Sequence, residues 1–301
     1  MNLLQKYIWI IDTLRKQRLS LEKLSERFSC SIDLDSNGDG LSRQTFYRWR
    51  KEIAEMFGIE IECEKGGENR YYITNPEVLE HKGLTQWLLN TYSTLNSLED
   101  SLKVKHRILT EPIPSSERCL NNVIEAMKEN RIIRFTYTKF GSAEGYTCTV
   151  RPYCVKLFMQ RWYMLGYCEE RSDLRTYGLD RISDLSTTDV KFELPEDFDA
   201  ELFFATHYGI DTRKDIQCET IVFRAWEPHN HYLRSLPIHH SQQELESAEG
   251  YTDFQVRLRP NYEFYWKLLS MGNYIQILSP QSVRQEMADM IKKVLEGYKG
   301  C

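Results

Sequence analysis

The sequence predicts an α+β protein built from several domains rather than around one continuous core. Three observations carry this. Helical periodicity dominates the first quarter and gives way to two short alternating runs, a strand-rich stretch follows at about 131–210, and strands and helices alternate from about 217 to the end. A length of 301 residues fits two or three domains. The balance of 41% hydrophobic and 28% charged residues is that of a globular chain with enough apolar material for a core.

Residues 1–75 form the first domain. Leu3, Leu4, Tyr7, Ile8, Ile11 and Leu14 recur at helical spacing. Ser20 is placed to cap a short second helix carrying Leu21, Leu24 and Phe28. After the polar loop SIDLDSNGDG, Ser42 caps a third helix from Arg43 to Phe57, which Gly58 ends. IEIEC, the turn KGGEN and RYYIT then read as a β-hairpin. Three helices followed by a hairpin is the layout of a winged helix-turn-helix.

The third helix is the informative element. Projected at ~100° per residue, Phe46, Trp49, Ile53, Met56 and Phe57 gather on one face, expected to pack on the first two helices. Arg43, Gln44, Tyr47, Arg48 and Lys51 gather on the other. Residues 43–51 carry four basic side chains and no acidic one. Such a face suits phosphate contact and entry into the major groove of duplex DNA, with Arg43 and Gln44 at the helix start near base edges. Lys65 and Arg70 are placed for the hairpin to touch the phosphate backbone. A solvated basic face is the plain alternative for a lone helix; the helix-helix-helix-hairpin order favours DNA. The loop at 33–46 resembles half a calcium loop, but neither frame supplies the closing carboxylate: Phe46 or Gln44 stands at the twelfth position.

Residues 76–130 read as a helical connector with Leu84, Trp87, Leu88, Leu95 and Leu98. It is broken at Pro112 and Pro114 and closed by a helix from Ser116 to Asn130. This segment is suited to dimerisation and shows no chemistry. Residues 131–210 are strand-rich, with RIIRFTYT, TCTVRPYCVKLF, RWYMLGYCEE and LRTYGLDRISDLSTT separated by turn signals.

TVRPY, RWYMLGY and LRTYGLDRI, in that order and spacing, resemble the WYL-domain family of bacterial transcription regulators, in a Bacteroidetes-type form. The Trp-Tyr-Leu signature stands here as Trp162-Tyr163-Met164, and LDRI is intact at Leu179–Ile182. With TFYRWRKEIAEMFGIEIEC as the winged-helix part, the resemblance spans nearly the whole chain. It implies a small Sm-like β-barrel that senses an effector, single-stranded nucleic acid or a nucleotide in some members. Side chains suited to that role are Arg151, Arg175 and Arg181 for phosphate and Tyr137, Tyr153 and Tyr177 for base stacking. Tyr163 is divided between packing and ligand contact. Asp180 and Arg181 also fit a local salt bridge, and Trp162 fits the core. Two positions depart from the family: Met164 replaces Leu, which a core tolerates, and Gly178 stands where many relatives carry a second Arg, which weakens phosphate binding or changes the ligand.

Residues 217–301 read strand-helix-strand-strand-helix-strand with a closing helix, a ferredoxin-like α/β layer. This resembles the WCX extension found in many such regulators. Phe264, Trp266, Leu268 and Leu269 read as core and interface. His229, His231, His239 and His240 invite a metal reading, but no HExxH, CxxC, Walker A, GxGxxG or GxSxG pattern occurs. No cofactor and no enzymatic activity are expected.

The expected partners are duplex DNA at the first domain, a nucleotide or single-stranded effector at the WYL domain, and a second copy of the chain, since one helix reads few base pairs. No apolar run approaches the ~18–20 residues of a membrane span. The charge-interrupted start is unlike a secretory signal, and a cytoplasmic protein with reduced thiols is expected. Net charge is -5 overall, yet residues 1–75 are balanced at 12 basic and 12 acidic residues, so the excess acid lies behind the head. Two rival readings remain: a single-stranded nucleic-acid-binding accessory module without sequence-specific duplex binding, and a nucleic-acid-processing enzyme.

Overall fold

The computed structural model describes residues 3–30, 41–64, 69–79, 91 and 117–299. The chain divides into two compact units, Met1–Glu111 and Pro112–Cys301. The expected calcium-like turn and most of the connector helix lie outside the described residues.

In the first unit, α1 (Leu3–Lys16), α2 (Leu21–Cys30) and α3 (Arg43–Phe57) surround one apolar cluster. Phe46, Ile53 and Leu24 are fully buried there, and the Trp49 ring meets Tyr7 at 6.0 Å and Phe28 at 5.8 Å. The ends of α3 are set by local chemistry. The Ser42 hydroxyl accepts from the Thr45 N–H, and Gly58 at φ 65 closes the helix in the left-handed conformation that glycine adopts without strain. Strands β1 (Leu19–Ser20), β2 (Ile61–Cys63) and β3 (Arg70–Ile73) form an antiparallel sheet in the order β1-β3-β2. Met56 departs from expectation: it is 58% exposed, because its position lies at the margin of the apolar stripe that Phe46, Trp49, Ile53 and Phe57 fill.

The second unit begins with α4 (Glu117–Lys128), whose Val123 and Ala126 pack on a five-stranded antiparallel sheet. Its strands are β4 (Arg131–Tyr137), β5 (Tyr146–Phe158), β6 (Arg161–Cys168), β7 (Asp173–Gly178) and β8 (Ile182–Lys191), in the order β7-β6-β5-β4-β8. A register shift between Pro152 and Cys154 bends the long β5, at a proline that has no N–H for the ladder. The sheet curls strongly. The Tyr137 ring of β4 lies 5.1 Å from the Tyr177 ring of β7, three places away in strand order, and the Gly178 N–H donates to the Tyr137 hydroxyl at 3.3 Å.

After α5 (Ala200–Phe204), the remaining elements run β9 (Glu219–Trp226), α6 (His229–Ser235), β10 (Gln243–Ala248), β11 (Tyr251–Leu258), α7 (Tyr262–Leu269), β12 (Ile275–Ser279) and α8 (Gln281–Lys299). The four strands form an antiparallel sheet in the order β10-β11-β9-β12. Phe264 and Leu268 are buried as expected, whereas Trp266, on the other side of α7, is 50% exposed.

The two sheets of this unit are joined through a half-buried charge cluster. The Lys156 ammonium donates to the Gly209 carbonyl at 2.6 Å and lies 4.0 Å from the Phe204 ring. Burial pushes its pKa down to about 8, against the opposing pull of the Glu263 carboxylate. Glu263 on α7 accepts the Ile210 N–H at 2.9 Å. Gly209 has φ +71, and a Cβ there would lie 2.1 Å from a Glu263 carboxylate oxygen, so this approach depends on glycine.

Candidate nucleic-acid interface and effector site

On α3, Arg43, Gln44, Tyr47, Arg48 and Lys51 are all exposed, on the side opposite the buried Phe46, Trp49, Ile53 and Phe57. The Arg43 guanidinium lies 5.7 Å from the Tyr47 ring centre. Lys51 makes a loose pair with Glu55, at 3.7 Å between two exposed side chains, which offers little resistance to a phosphate. Glu52 is turned to the opposite side, where it accepts from the Tyr7 hydroxyl. Arg70 is exposed on β3; Lys65 lies outside the described residues.

Sequence reasoning missed Tyr71. It is buried on the central strand, packs edge-on to Phe46 at 4.7 Å, and sets its phenol 3.1 Å from that of Tyr47. Burial raises the Tyr71 pKa, and the hydrogen bond to Tyr71 is the largest cause lowering the pKa of Tyr47.

The effector-site candidates on the five-stranded sheet separate into three groups. Tyr137 and Tyr177 are 5% and 3% exposed, and their rings pack edge-to-face against each other and against Phe135. They are core residues, and the expectation that they offer stacking faces is corrected: the curl of the sheet turns both inward. Burial raises the pKa of both phenols.

Arg151, Tyr153 and Arg175 form the second group. Arg151 is committed to Glu169 through two hydrogen bonds of 2.6 and 3.3 Å, with its guanidinium 5.1 Å from the Tyr167 ring. Tyr153 stacks on Phe192 at 6.0 Å and lines an open cavity of about 560 Å³ with Tyr167, Asp173, Phe198 and Lys214. Arg175 is half-exposed, and Asp173, its partner at 3.4 Å, is held more closely by Lys214 at 2.7 Å.

Tyr163 and Arg181 belong to the third group. Tyr163 sits opposite Gly178 in the β6–β7 register, and burial raises its pKa while Arg181 and Arg161 draw it down. The Arg181 guanidinium occupies the space above Gly178: a Cβ there would be 2.5 Å from its Nη2 and 2.8 Å from its Nε. Its Nε is buried without a hydrogen-bond partner among the described residues, and its nearest carboxylate is Asp180 at 3.8 Å. Asp180 is bound more tightly by Arg161, at 2.7 Å. Both guanidiniums cover the Phe140 ring, Arg181 at 4.7 Å and Arg161 at 5.5 Å, although Phe140 is 70% exposed. Phe140 and Arg161 had no sequence signal: Phe140 lies in the connection before β5 and Arg161 pairs with Phe158 at its far end, and only the curl brings them together.

The histidines pack against several different groups, and the rings of His239 and His240 lie 4.1 Å apart. His229 stacks on Tyr274 at 4.5 Å, His231 lies 3.9 Å from Glu227, and the His239 Nδ1 is 2.7 Å from the Ser241 hydroxyl. No group of three or more His, Cys, Asp or Glu suited to a metal occurs among the described residues. The seven described cysteines are free. Among the described residues, no helix is long and apolar enough to cross a membrane.

The comparisons bear on the second unit. The family model of the WYL domain matches residues 118–187, which hold α4 and most of the five-stranded sheet. The family model of the WCX domain matches residues 219–295, from β9 into α8. No curated protein matches the chain. Among solved structures, proteasome accessory factor B/C (PafBC) of Arthrobacter aurescens is 17% identical, with 94% of this chain and 45% of that chain covered and a TM-score of 0.36. A CRISPR Cas-related protein is 14% identical, with 98% and 85% covered and a TM-score of 0.41. The chain thus spans under half the length of PafBC. The chain thus carries a WYL domain followed by a WCX domain.

Proposed function

We propose that the protein is a DNA-binding transcription regulator whose WYL domain senses a single-stranded nucleic acid or nucleotide. The first unit is read as a winged helix-turn-helix, the curled five-stranded sheet as an Sm-like barrel and the last sheet as a ferredoxin-like layer. The observation that carries the reading is the division of α3: five polar or basic side chains exposed on one face, four apolar ones buried on the other. In a helix backed by two others and flanked by a small sheet, that face is the one to enter a major groove. Arg43, Gln44 and Tyr47 are proposed to meet base edges, and Arg48, Lys51, Lys65 and Arg70 to meet phosphates.

The chain is proposed to act as a homodimer through α8. Ile291, Val294, Leu295 and Tyr298 are each at least half exposed and fall at helical spacing. Glu286 and Asp289 lie in the first half of α8, and Lys292, Lys293 and Lys299 in the second, with Arg284 and Glu296 as minority charges. Antiparallel pairing of two copies centred on that stripe would set Ile291 against Tyr298 and Lys293 against Glu296 of the other copy. Effector binding would act by favouring one arrangement of the DNA-reading heads. Selection of duplexes from a fragmented genomic pool by the full chain should return a repeated half-site motif. Recovery of duplexes without any shared motif would contradict the reading.

A further inference from the structure

We infer that Phe140, Arg161 and Arg181 form a clasp for one nucleotide unit of a single strand, with the base on the Phe140 ring and the phosphate on the two guanidiniums. This rests on the reading of the WYL domain as a nucleic-acid sensor and names where the ligand sits. The three residues come from three connections: the β4–β5 loop, the start of β6 and the turn between β7 and β8. Asp180 is the carboxylate paired with both arginines, so the cluster keeps one positive charge.

The donors are there to be used. Arg161 spends one N–H on Asp180 at 2.7 Å, and a guanidinium has five to give. Arg181 has a buried Nε with no hydrogen-bond partner among the described residues. A guanidinium lying against an aromatic ring keeps its N–H edge free for a phosphate, which it binds bidentately. The Phe140 ring stays 70% exposed although two guanidiniums lie within 5.5 Å of its centre, which leaves apolar surface for a planar base. Tyr163 stands opposite Gly178 in the β6–β7 register, within the field of both arginines.

Gly178 is the positioning residue. Its φ of -71 is one that any residue adopts, so alanine there strains no backbone. Its Cβ would nevertheless fall 2.5 Å from the Arg181 guanidinium and 2.8 Å from an Asp180 carboxylate oxygen, and the side chains must move. Gly178→Ala thus displaces the cation without changing the charge.

The test measures binding of a fluorescently labelled oligothymidylate to the full chain by anisotropy. An Arg48→Glu/Lys51→Glu background silences the α3 face. Phe140→Ala, Arg161→Gln and Gly178→Ala should each weaken binding about tenfold, the scale of one lost stacking or phosphate contact. Phe140→Tyr should retain binding, and the thermal midpoint should hold in all four. Binding that stays within about twofold in Phe140→Ala and Arg161→Gln would overturn the clasp and leave the sensor reading standing. No binding by the parent chain would overturn that reading and the clasp with it. Displacement of the strand by inorganic phosphate as readily as by thymidine monophosphate would overturn the base-stacking half.

Discussion

The phenol of Tyr71, on the central strand of the first sheet, lies 3.1 Å from the phenol of Tyr47, on the exposed face of α3. This bond joins the buried core of the head to the surface proposed to read DNA. It adds to the contacts that Arg43 and Phe46 make with the Tyr47 ring. Tyr71→Phe keeps the ring against Phe46 and removes only the hydroxyl. It should cost about 1 kcal/mol of stability, the usual worth of one hydrogen bond, measured by chemical denaturation. It should also weaken duplex binding by releasing Tyr47.

Acid should destabilise the second unit through His239. Burial, followed by the nearby His240 and Lys156, lowers its pKa to about 4 from the ordinary 6.5. Above pH 6.5 both folded and unfolded chains hold it neutral and its contribution is complete. As pH falls from 6.5 through 4 the unfolded chain takes up the proton first, and stability is lost. Wild type should lose on the order of 3 kcal/mol more than His239→Asn across that window, as read from urea midpoints at each pH.

The exposed stripe on α8 predicts the oligomeric state. Val294→Glu together with Leu295→Glu should convert a dimer into a monomer in light scattering while the helix content is unchanged. A dimer that survives both substitutions would place the pairing elsewhere.

Arg175 separates ligand binding from packing. It is half-exposed, and its ion pair with Asp173 is long at 3.4 Å, so its removal should cost little stability. Arg175→Glu should abolish the effector response with the thermal midpoint within a few degrees of wild type. A large fall in midpoint would assign Arg175 to structure.

The head was readable because its signals are local. Ser42 and Gly58 mark the ends of α3, and the spacing of Phe46, Trp49, Ile53 and Phe57 gives its buried face. The strands of the WYL domain were readable from alternation, but alternation says which residues share a face and nothing about how far a sheet curls. Tyr137 and Tyr177 were therefore expected at a surface, although the curl buries them. The same gap hid Arg161 and Phe140, and it hid Glu169, whose carboxylate holds Arg151 across the β5–β6 register. β1 is two residues long, too short to carry a period, and exists because Leu19 pairs with Tyr71.

The central claim is that the exposed face of α3 reads duplex DNA, and salt-dependent affinity for a selected duplex tests it most directly. Arg43→Ala should narrow the gap between the selected duplex and a scrambled one by about 1–3 kcal/mol. Lys51→Ala should weaken both duplexes alike and reduce the slope of log affinity against log salt by about one. If both variants match wild type in specificity and slope, α3 is not the reading helix and the account fails.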